Sequence, residues 1–166
     1  MRTGFSLGSN LGDRLGQLRA ARDFLLGLHE GRWPPAVSPV YETEPVGCPP
    51  GSAAFFNAVV EIESSLDPAE LLARLHSWEI GAGRPRGAGL NQPREIDIDL
   101  LYLGSIVRGE SSPLLPHPRM TVRRFVLQPL ADICPALVLP GQTETIAALL
   151  SRLPLVPRVQ LLTTEW

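Results

Sequence analysis

The segment that decides the fold lies in the middle of the chain, where residues 94–100 read REIDIDL. Side chains alternate between the two faces of a strand, so the apolar residues share one face while Asp97 and Asp99 share the other. Two carboxylates about 7 Å apart repel each other by about 2 kcal/mol at an effective dielectric constant of about 20. The pair therefore predicts a compensating cation, and Mg²⁺ is commonly held by one or two carboxylates together with substrate phosphates. A solvated acidic strand face is the alternative.

Outward from this segment, the first hundred residues predict the element order β-α-β-β-α-β. The second helix has the clearest start, because Asp67 suits the N-cap, Pro68 the first turn and Glu70 the third position of a capping box. This order, with both helices on one face of an antiparallel sheet, predicts an α+β fold, the ferredoxin-like βαββαβ sandwich. The predicted strands are 3–7, 36–43, 55–63 and 95–103, and the predicted helices run from Asp13 to before Gly31 and from Asp67 to Gly81.

After residue 103, the pattern predicts a C-terminal extension of helices and one strand. Gly104 and Ser105 stand between two apolar residues and predict a tight hairpin. Two segments rich in Gly and Pro, 44–54 and 81–93, predict loops that are longer than simple connections require. The predicted elements of the extension are helices at 120–131 and near 145–153, and a strand near 159–162.

The basic residues are unusual, because all fifteen are Arg and the chain contains no Lys. A Walker-type phosphate loop, a protein-kinase site and Schiff-base chemistry each need a Lys and are therefore excluded. Any phosphate chemistry must use Arg, metal ions and the backbone. With 166 residues, 44% of them hydrophobic, we expect one domain spanning 1–166. The net charge of −2 argues against a nucleic-acid or anionic-membrane partner.

The cysteine content and the N-terminus bear on location. Cys48 and Cys134 are the only cysteines, and we expect unpaired thiols in a reducing compartment. The N-terminus lacks a signal-peptide pattern, and no apolar run reaches about 18 residues. We therefore expect a cytoplasmic protein without a membrane partner. A monomer is the default expectation.

Six arginines flank the acidic pair. Residues 81–94 contain three Arg and no acid, and residues 111–131 contain three more, again with no acid. Arg forks bind phosphate oxygens bidentately, so arginines beside two carboxylates favour a phosphoryl-transfer site. Solvated loops are the alternative. The six are Arg84, Arg86, Arg94, Arg119, Arg123 and Arg124.

A histidine and several aromatic residues complete the candidates. His117 stands between two prolines, which restrict it, and it could donate a hydrogen bond to a phosphate oxygen; a loop histidine without a role is the alternative. Phe55 and Asn57 open a strand, and Phe125 follows an Arg pair. Rings beside an amide suit a planar heterocycle, although core packing is the simpler interpretation and alternation must turn either Phe55 or Phe56 toward the core.

Together these motifs resemble the 6-hydroxymethyl-7,8-dihydropterin pyrophosphokinase family of folate biosynthesis. The resemblance runs over nearly the whole chain. Its most specific part combines P-R-x-x-D-x-D at 93–99 with P-H-x-x-M at 116–120 and R-x-F at 123–125. Family members often carry Arg-Trp-Gly where this chain has Leu90, Asn91 and Gln92, so the family's arginine and tryptophan are missing there. Other matching segments are 8–11, 41–45, 56–59, 83–86 and 129–130.

The resemblance implies a ferredoxin-like enzyme that transfers a pyrophosphoryl group from ATP to the hydroxymethyl oxygen of the reduced pterin and releases AMP. It implies two Mg²⁺ ions on Asp97 and Asp99 and ATP as co-substrate. The implied catalytic residues are Arg84, Arg94, Asp97 and Asp99. The implied ATP-binding residues are His76, Glu79, Arg84, Arg86, Arg94, Leu100, His117 and Arg123. The implied pterin-binding residues are Thr43, Glu44, Pro45, Val46, Phe55, Asn57 and Phe125.

Two other classes of function compete with this interpretation. A ferredoxin-like binding module would have no need for an acidic pair flanked by so many arginines. A metal-dependent nuclease should show a basic face, which the net charge of −2 does not favour. Of the fifteen arginines we expect Arg84, Arg86, Arg94 and Arg123 to act in the site, and the others to be mostly surface residues.

Overall fold

The computed structural model describes residues 1–45, 51–82 and 95–166. Within them, six strands form one sheet, and four α-helices pack against it. A short 3₁₀ turn, Met120–Val122, precedes the third helix. The strands are β1 (Arg2–Ser9), β2 (Ala36–Val37), β3 (Val40–Thr43), β4 (Phe55–Glu63), β5 (Asp97–Leu103) and β6 (Val159–Thr163). The helices are α1 (Arg14–Gly27), α2 (Pro68–Gly81), α3 (Arg124–Ile133) and α4 (Ile146–Arg152).

The order of strands confirms the ferredoxin-like prediction. Hydrogen-bonded neighbours follow the order β5-β1-β4-β3-β6, all pairs are antiparallel, and β2 also pairs with β4. Helices α1 and α2 cover one face, where Leu18 and Leu25 meet Leu71 and Leu75 in a core that is closed to solvent. Within the described residues, no helix is long and apolar enough to cross a membrane.

Both predicted helix starts are confirmed by side-chain caps. Asp67 accepts hydrogen bonds from the backbone N–H groups of Ala69 and Glu70 at 2.8 and 3.0 Å. Asp13 accepts from the N–H of Gly16 at 3.0 Å. These caps satisfy amide groups that the first turn of a helix leaves without partners, and they fix where the chain turns into each helix.

The predicted strand at 36–43 is two strands in the structure. The break falls at Ser38 and Pro39, because proline has no N–H for the ladder. The Ser38 hydroxyl accepts a hydrogen bond from the N–H of Val59 at 2.8 Å and replaces the missing backbone contact. The predicted strand at 55–63 has the observed bounds.

The predicted hairpin at Gly104 is wrong. The turn itself forms, with the N–H of Ile106 donating to the carbonyl of Leu103 at 3.0 Å, but in the described part of the chain no return strand pairs with β5. Other groups form hydrogen bonds with the outer edge of β5 instead of a strand. The backbone N–H of Ile98 donates to a side chain of α2, and the carbonyl of Leu101 accepts from the backbone N–H of residue 117.

The C-terminal extension covers only part of the second face of the sheet. Helices α3 and α4 pack over Val59, Leu101 and Tyr102, where a bulge at Leu101 shifts the register of β5 against β1 and changes the alternation of its side chains. The predicted helix at 120–131 is interrupted, because Arg123 is extended between the 3₁₀ turn and α3. The opposite end of this face, around the start of β5, is left open.

Candidate active site

The acidic pair lies on the sheet face that α1 and α2 do not cover, at the start of β5. The apolar residues at 96, 98 and 100 are buried in the helix-covered core, whereas Asp97 and Asp99 are partly exposed. In the register with β1, Asp97 pairs with Gly8 and Asp99 with Ser6. The predicted alternation is therefore confirmed over this segment, and the two small neighbours leave space above the carboxylates.

A cavity of about 700 Å³ opens over this end of the sheet. Its walls come from strands β1, β3, β4 and β5, from one side of α2, from segment 112–119, from the start of α3 and from the segment before β6. The cavity brings together most of the residues that the resemblance singled out. Those in its lining are Thr43, Glu44, Phe55, Asn57, His76, Asp97, Asp99, Leu100, His117, Arg123 and Phe125.

The remaining predicted residues are placed differently or lie outside the described residues. Pro45 is described but does not line this cavity. Glu79 does not line it either; it is buried in α2, and its carboxylate accepts a hydrogen bond from the N–H of Ile98 at 2.8 Å. This contact ties α2 to β5 between the two aspartates. Contacts of Pro45 and Glu79 with ligands stay predictions. The residues outside the described ranges are Val46, Arg84, Arg86 and Arg94.

Arg123 brings positive charge to the acidic pair. Its Nη1 lies 3.8 Å from Oδ2 of Asp99, and its guanidinium carbon lies 5.5 Å from the ring centroid of Phe125. Arg119 and Arg124 also line the cavity. Because guanidinium groups bind anionic oxygens in a fork, this wall can take an anion beside the carboxylates.

His117 lines the cavity as a neutral imidazole. Burial lowers the pKa of His117; the charge of Asp99 opposes this shift, while Arg123 and Arg119 add to it. The backbone N–H of Arg119 donates to Nδ1 of His117 at 3.2 Å, so the proton of the neutral ring is on Nε2. The backbone N–H of His117 donates to the carbonyl of Leu101 at 2.7 Å and ties the segment to β5. The ring therefore has one N–H available as a donor near neutral pH.

The side of the cavity formed by β4 has an aromatic ring and a buried amide, and a second ring, that of Phe125, lies beside Arg123. Phe55 comes from β4 and Phe125 from α3. Asn57 is 3% exposed, and its Nδ2 donates to the hydroxyl of Thr43 at 2.7 Å, which fixes the orientation of the amide. A Cβ placed on Gly8 would lie 3.5 Å from Oδ1 of Asn57, so the amide oxygen stands beside the glycine. Rings with a fixed amide suit a planar heterocycle with polar edges.

The two ends are joined across β1. In the sheet register, Asn57 pairs with Gly8, and Gly8 pairs with Asp97 on the other side. Neighbouring strands lie about 4.8 Å apart, so the amide and the carboxylate are separated by about 10 Å with the glycine between them. A ligand bound at both ends must therefore pass over Gly8.

Sequence reasoning missed several lining residues. Leu72 of α2 lines the cavity, although an apolar residue of a helix ordinarily indicates core packing. Gly8 lies in segment 8–11, which matches the family. Its lack of a side chain, between two strands that carry predicted site residues, is the signal that could have identified it as a lining residue. Leu114 and Pro157 also line the cavity, but no local pattern marks them, because the fold alone brings these segments to the site.

The donor set fits Mg²⁺. Among the described residues, no group of three or more His, Cys, Asp and Glu side chains is arranged to hold a metal ion. Two carboxylates on one strand face are the protein ligands that Mg²⁺ commonly uses when substrate phosphates and water complete its shell. Asp97 and Asp99 are therefore the described residues that could hold the metal.

Comparison with known proteins points to one family. The model of the family described as 7,8-dihydro-6-hydroxymethylpterin-pyrophosphokinase (HPPK) matches residues 4–135. The chain is 43% identical over 129 residues to a 2-amino-4-hydroxy-6-hydroxymethyldihydropteridine pyrophosphokinase of Bacillus subtilis, covering 78% of this chain and 75% of the relative. It is 39% identical over 135 residues to the protein of the same name in Pseudomonas aeruginosa, covering 81% and 82% of the two chains.

Solved structures agree with the fold. The wild-type HPPK-DHPS chain of Plasmodium falciparum, crystallised with pteroate, superposes with a TM-score of 0.68 at 15% identity. The match covers 91% of this chain and 42% of that one, so the present chain spans less than half of the solved protein. At this level of identity, the likeness supports the fold alone.

Proposed function

This chain belongs to the 7,8-dihydro-6-hydroxymethylpterin-pyrophosphokinase family, and we propose which residues of its cavity carry out the family's reaction. The protein is an ATP-using pyrophosphokinase of folate biosynthesis. In its reaction a pyrophosphoryl group passes from ATP to the hydroxymethyl group of the reduced pterin, which leaves AMP and the pterin diphosphate. The observation that carries the proposal is a single cavity lined by an acidic pair with Arg123 beside it, by a fixed amide and by two aromatic rings.

The pterin takes the aromatic end of the cavity in this proposal. Phe55 and Phe125 stack against its ring, and Asn57 reads its polar edge with the amide that Thr43 holds in place. Glu44, Pro45 and Val46 contribute backbone, as the resemblance implies. Stacking fixes the plane of the ring, and the amide fixes its rotation within that plane, so the hydroxymethyl group is directed over Gly8 toward β5.

ATP takes the charged end of the cavity. Arg123 and Nε2–H of His117 donate to its phosphate oxygens, and His76 and Leu100 line the nucleotide side. From the resemblance we also assign Arg84, Arg86, Arg94 and Glu79 to this substrate. Asp97 and Asp99 would hold the two Mg²⁺ ions that the resemblance implies. Bound Mg²⁺ neutralises phosphate charge and orients the phosphate oxygens for transfer.

The chemistry is a displacement at the β-phosphorus of ATP. A bond forms between the hydroxymethyl oxygen and the β-phosphorus, the bond from that phosphorus to the oxygen bridging to the α-phosphorus breaks, and AMP leaves with the bridging oxygen. We assign Asp97 to assist the departure of the hydroxyl proton. Asp97 pairs with Gly8 in the sheet, and Gly8 pairs on its other side with Asn57, which binds the pterin in this proposal. Arg123 and His117 hold the phosphates in line, so their contribution is one of positioning and charge stabilisation.

The test is identification of the nucleotide product. The protein is incubated with ATP, Mg²⁺ and the reduced pterin, and the nucleotides are separated by anion exchange. We expect AMP in equal amount to the pterin diphosphate, and no AMP when the pterin is omitted. Formation of ADP, or ATP left unchanged in the complete mixture, would contradict the proposal. A binding module without catalysis would give the second of these outcomes.

A monomeric state and a cytoplasmic location belong to the same proposal. The residues assigned to both substrates come from one chain, so the proposed site needs no second copy. Light scattering of the purified protein should give a mass near 18.1 kDa. A mass of twice that value would overturn the monomer.

A further inference from the structure

Arg14 makes three contacts that join the strands carrying the aromatic end of the cavity. Its Nη1 donates to the carbonyl of Ala54 at 2.7 Å and to Oε1 of Glu42 at 3.3 Å. Its guanidinium carbon lies 3.7 Å from the centroid of the Phe56 ring. One planar group at the start of α1 thus contacts the end of β3, the residue before β4 and a ring within β4.

The contacts of Arg14 lie on the face of the sheet opposite the cavity. Glu42 pairs with Phe56, and Thr43 pairs with Phe55. Because side chains alternate, the first pair faces α1 while the second faces the cavity, in agreement with the packing of Phe56 against the helix-covered core. The residues that Arg14 contacts are therefore chain neighbours of cavity residues.

The arrangement is specific to an arginine. The Arg14 side chain is 28% exposed, so part of its charge is removed from water, and the flat guanidinium stacks on the ring while its N–H groups reach two acceptors. A cation over an aromatic face and a forked donor can be combined in Arg but not in the compact ammonium group of Lys. Arg14 lies outside the four arginines that the sequence predicts to act in the site, and these contacts give it a specific structural role.

We propose that Arg14 is a positioning residue for the pterin, holding β3 and β4 in the register that places Thr43 and Phe55 against the pterin ring. This inference rests on the proposed function, because it assigns the aromatic end of the cavity to the pterin. Arg14 touches neither the cavity nor the acidic pair in the described structure. Its loss should therefore weaken the pterin site and leave the nucleotide end as it is.

The experiment compares steady-state kinetics of Arg14→Ala with those of the wild-type protein. We expect the KM for the reduced pterin to rise about tenfold, with kcat and the KM for ATP changed by less than about twofold, since the lost contacts act on binding of one substrate. Arg14→Lys keeps a cation near Phe56 and should recover part of the loss. Arg152→Ala is the matched control, because it removes an ion pair between Arg152, at the end of α4, and Glu144, and it should leave both KM values unchanged.

Two further measurements distinguish a selective effect on pterin binding from a general loss of structure. Thermal unfolding of each variant shows whether the fold persists; partial unfolding would lower the active fraction and kcat without raising one KM selectively. If Arg14→Ala does not fold, Glu42→Gln takes its place, with an expected selective rise of about threefold in the KM for the pterin. An equal rise in both KM values, or an unchanged KM for the pterin, would overturn the proposal. Wild-type AMP formation, measured in parallel, tests the proposed function independently.

Discussion

Substitution of Gly8 by Ala tests whether the pterin passes over β1. A Cβ at this position would lie 3.5 Å from Oδ1 of Asn57 and 4.0 Å from Cδ1 of Phe55, which are ordinary van der Waals distances. The backbone of Gly8 is in the strand region that any residue adopts, so the variant should fold and gain about 0.5 kcal/mol in the free energy of unfolding. The new methyl group, however, occupies the floor of the cavity between the two ends.

The expected effect on activity follows from geometry. A methyl group projects about 1.5 Å from Cα, and a displacement of about 1 Å from the reactive arrangement costs about a hundredfold in rate. We therefore expect kcat/KM for the pterin to fall about a hundredfold, which corresponds to about 2.7 kcal/mol in transition-state stabilisation. Steady-state kinetics with the reduced pterin as the varied substrate, together with urea unfolding, measure the two effects.

Gly4 on the same strand provides the control. A Cβ there would lie 2.3 Å from Cε1 of Tyr102, so Gly4→Ala must displace a buried ring. That variant should lose about 1–3 kcal/mol in the free energy of unfolding, while any folded fraction keeps its KM for the pterin. Unchanged kcat/KM in a stably folded Gly8→Ala protein would refute the assignment of the ligand path over Gly8.

Two other predictions concern stability. Tyr102→Phe removes the hydroxyl that donates to the buried carboxylate of Glu61 at 2.5 Å. We expect the free energy of unfolding in urea to fall by about 1–3 kcal/mol and kcat to stay unchanged. Equal stability of the variant and the wild type would contradict the role of this contact. For His117, burial lowers the pKa below the ordinary value of 6.5. As the pH drops below about 6.5, the unfolded chain therefore binds a proton before the folded protein does. The free energy of unfolding falls over this range, until the pH passes the folded-state pKa of His117. His117→Gln should lose less stability than the wild type between pH 7 and pH 5, and parallel pH curves would contradict this.

Local patterns were sufficient for the elements whose signals are short in range. The caps at Asp13 and Asp67, the strand at 55–63 and the alternation of Asp97 and Asp99 depend on a few neighbouring residues, and each was predicted from them. The order of these elements then limits the topology, because two βαβ halves with one antiparallel sheet leave few arrangements. The resemblance supplied what spacing could not, namely which substrates the acidic pair serves.

Features that depend on contacts distant in sequence were not predictable. At the bulge at Leu101, the ring of Tyr102 packs across Gly4 of another strand, and the alternation of β5 changes there without any local mark. The return strand expected after Gly104 does not form, because the outer edge of β5 is already occupied by α2 and by segment 112–119. Likewise, Arg14 looks like an ordinary residue of the first helical turn until β3 and β4 are brought beside it.

The central claim is that the cavity over β5 is organised by its acidic pair to transfer a pyrophosphoryl group, and AMP formation by Asp97→Ala tests it most directly. The side chain is partly exposed at the start of the strand, so the variant should fold. We expect its rate of AMP formation from ATP, Mg²⁺ and the reduced pterin to fall by more than about a hundredfold. Normal turnover in the folded variant would contradict the account.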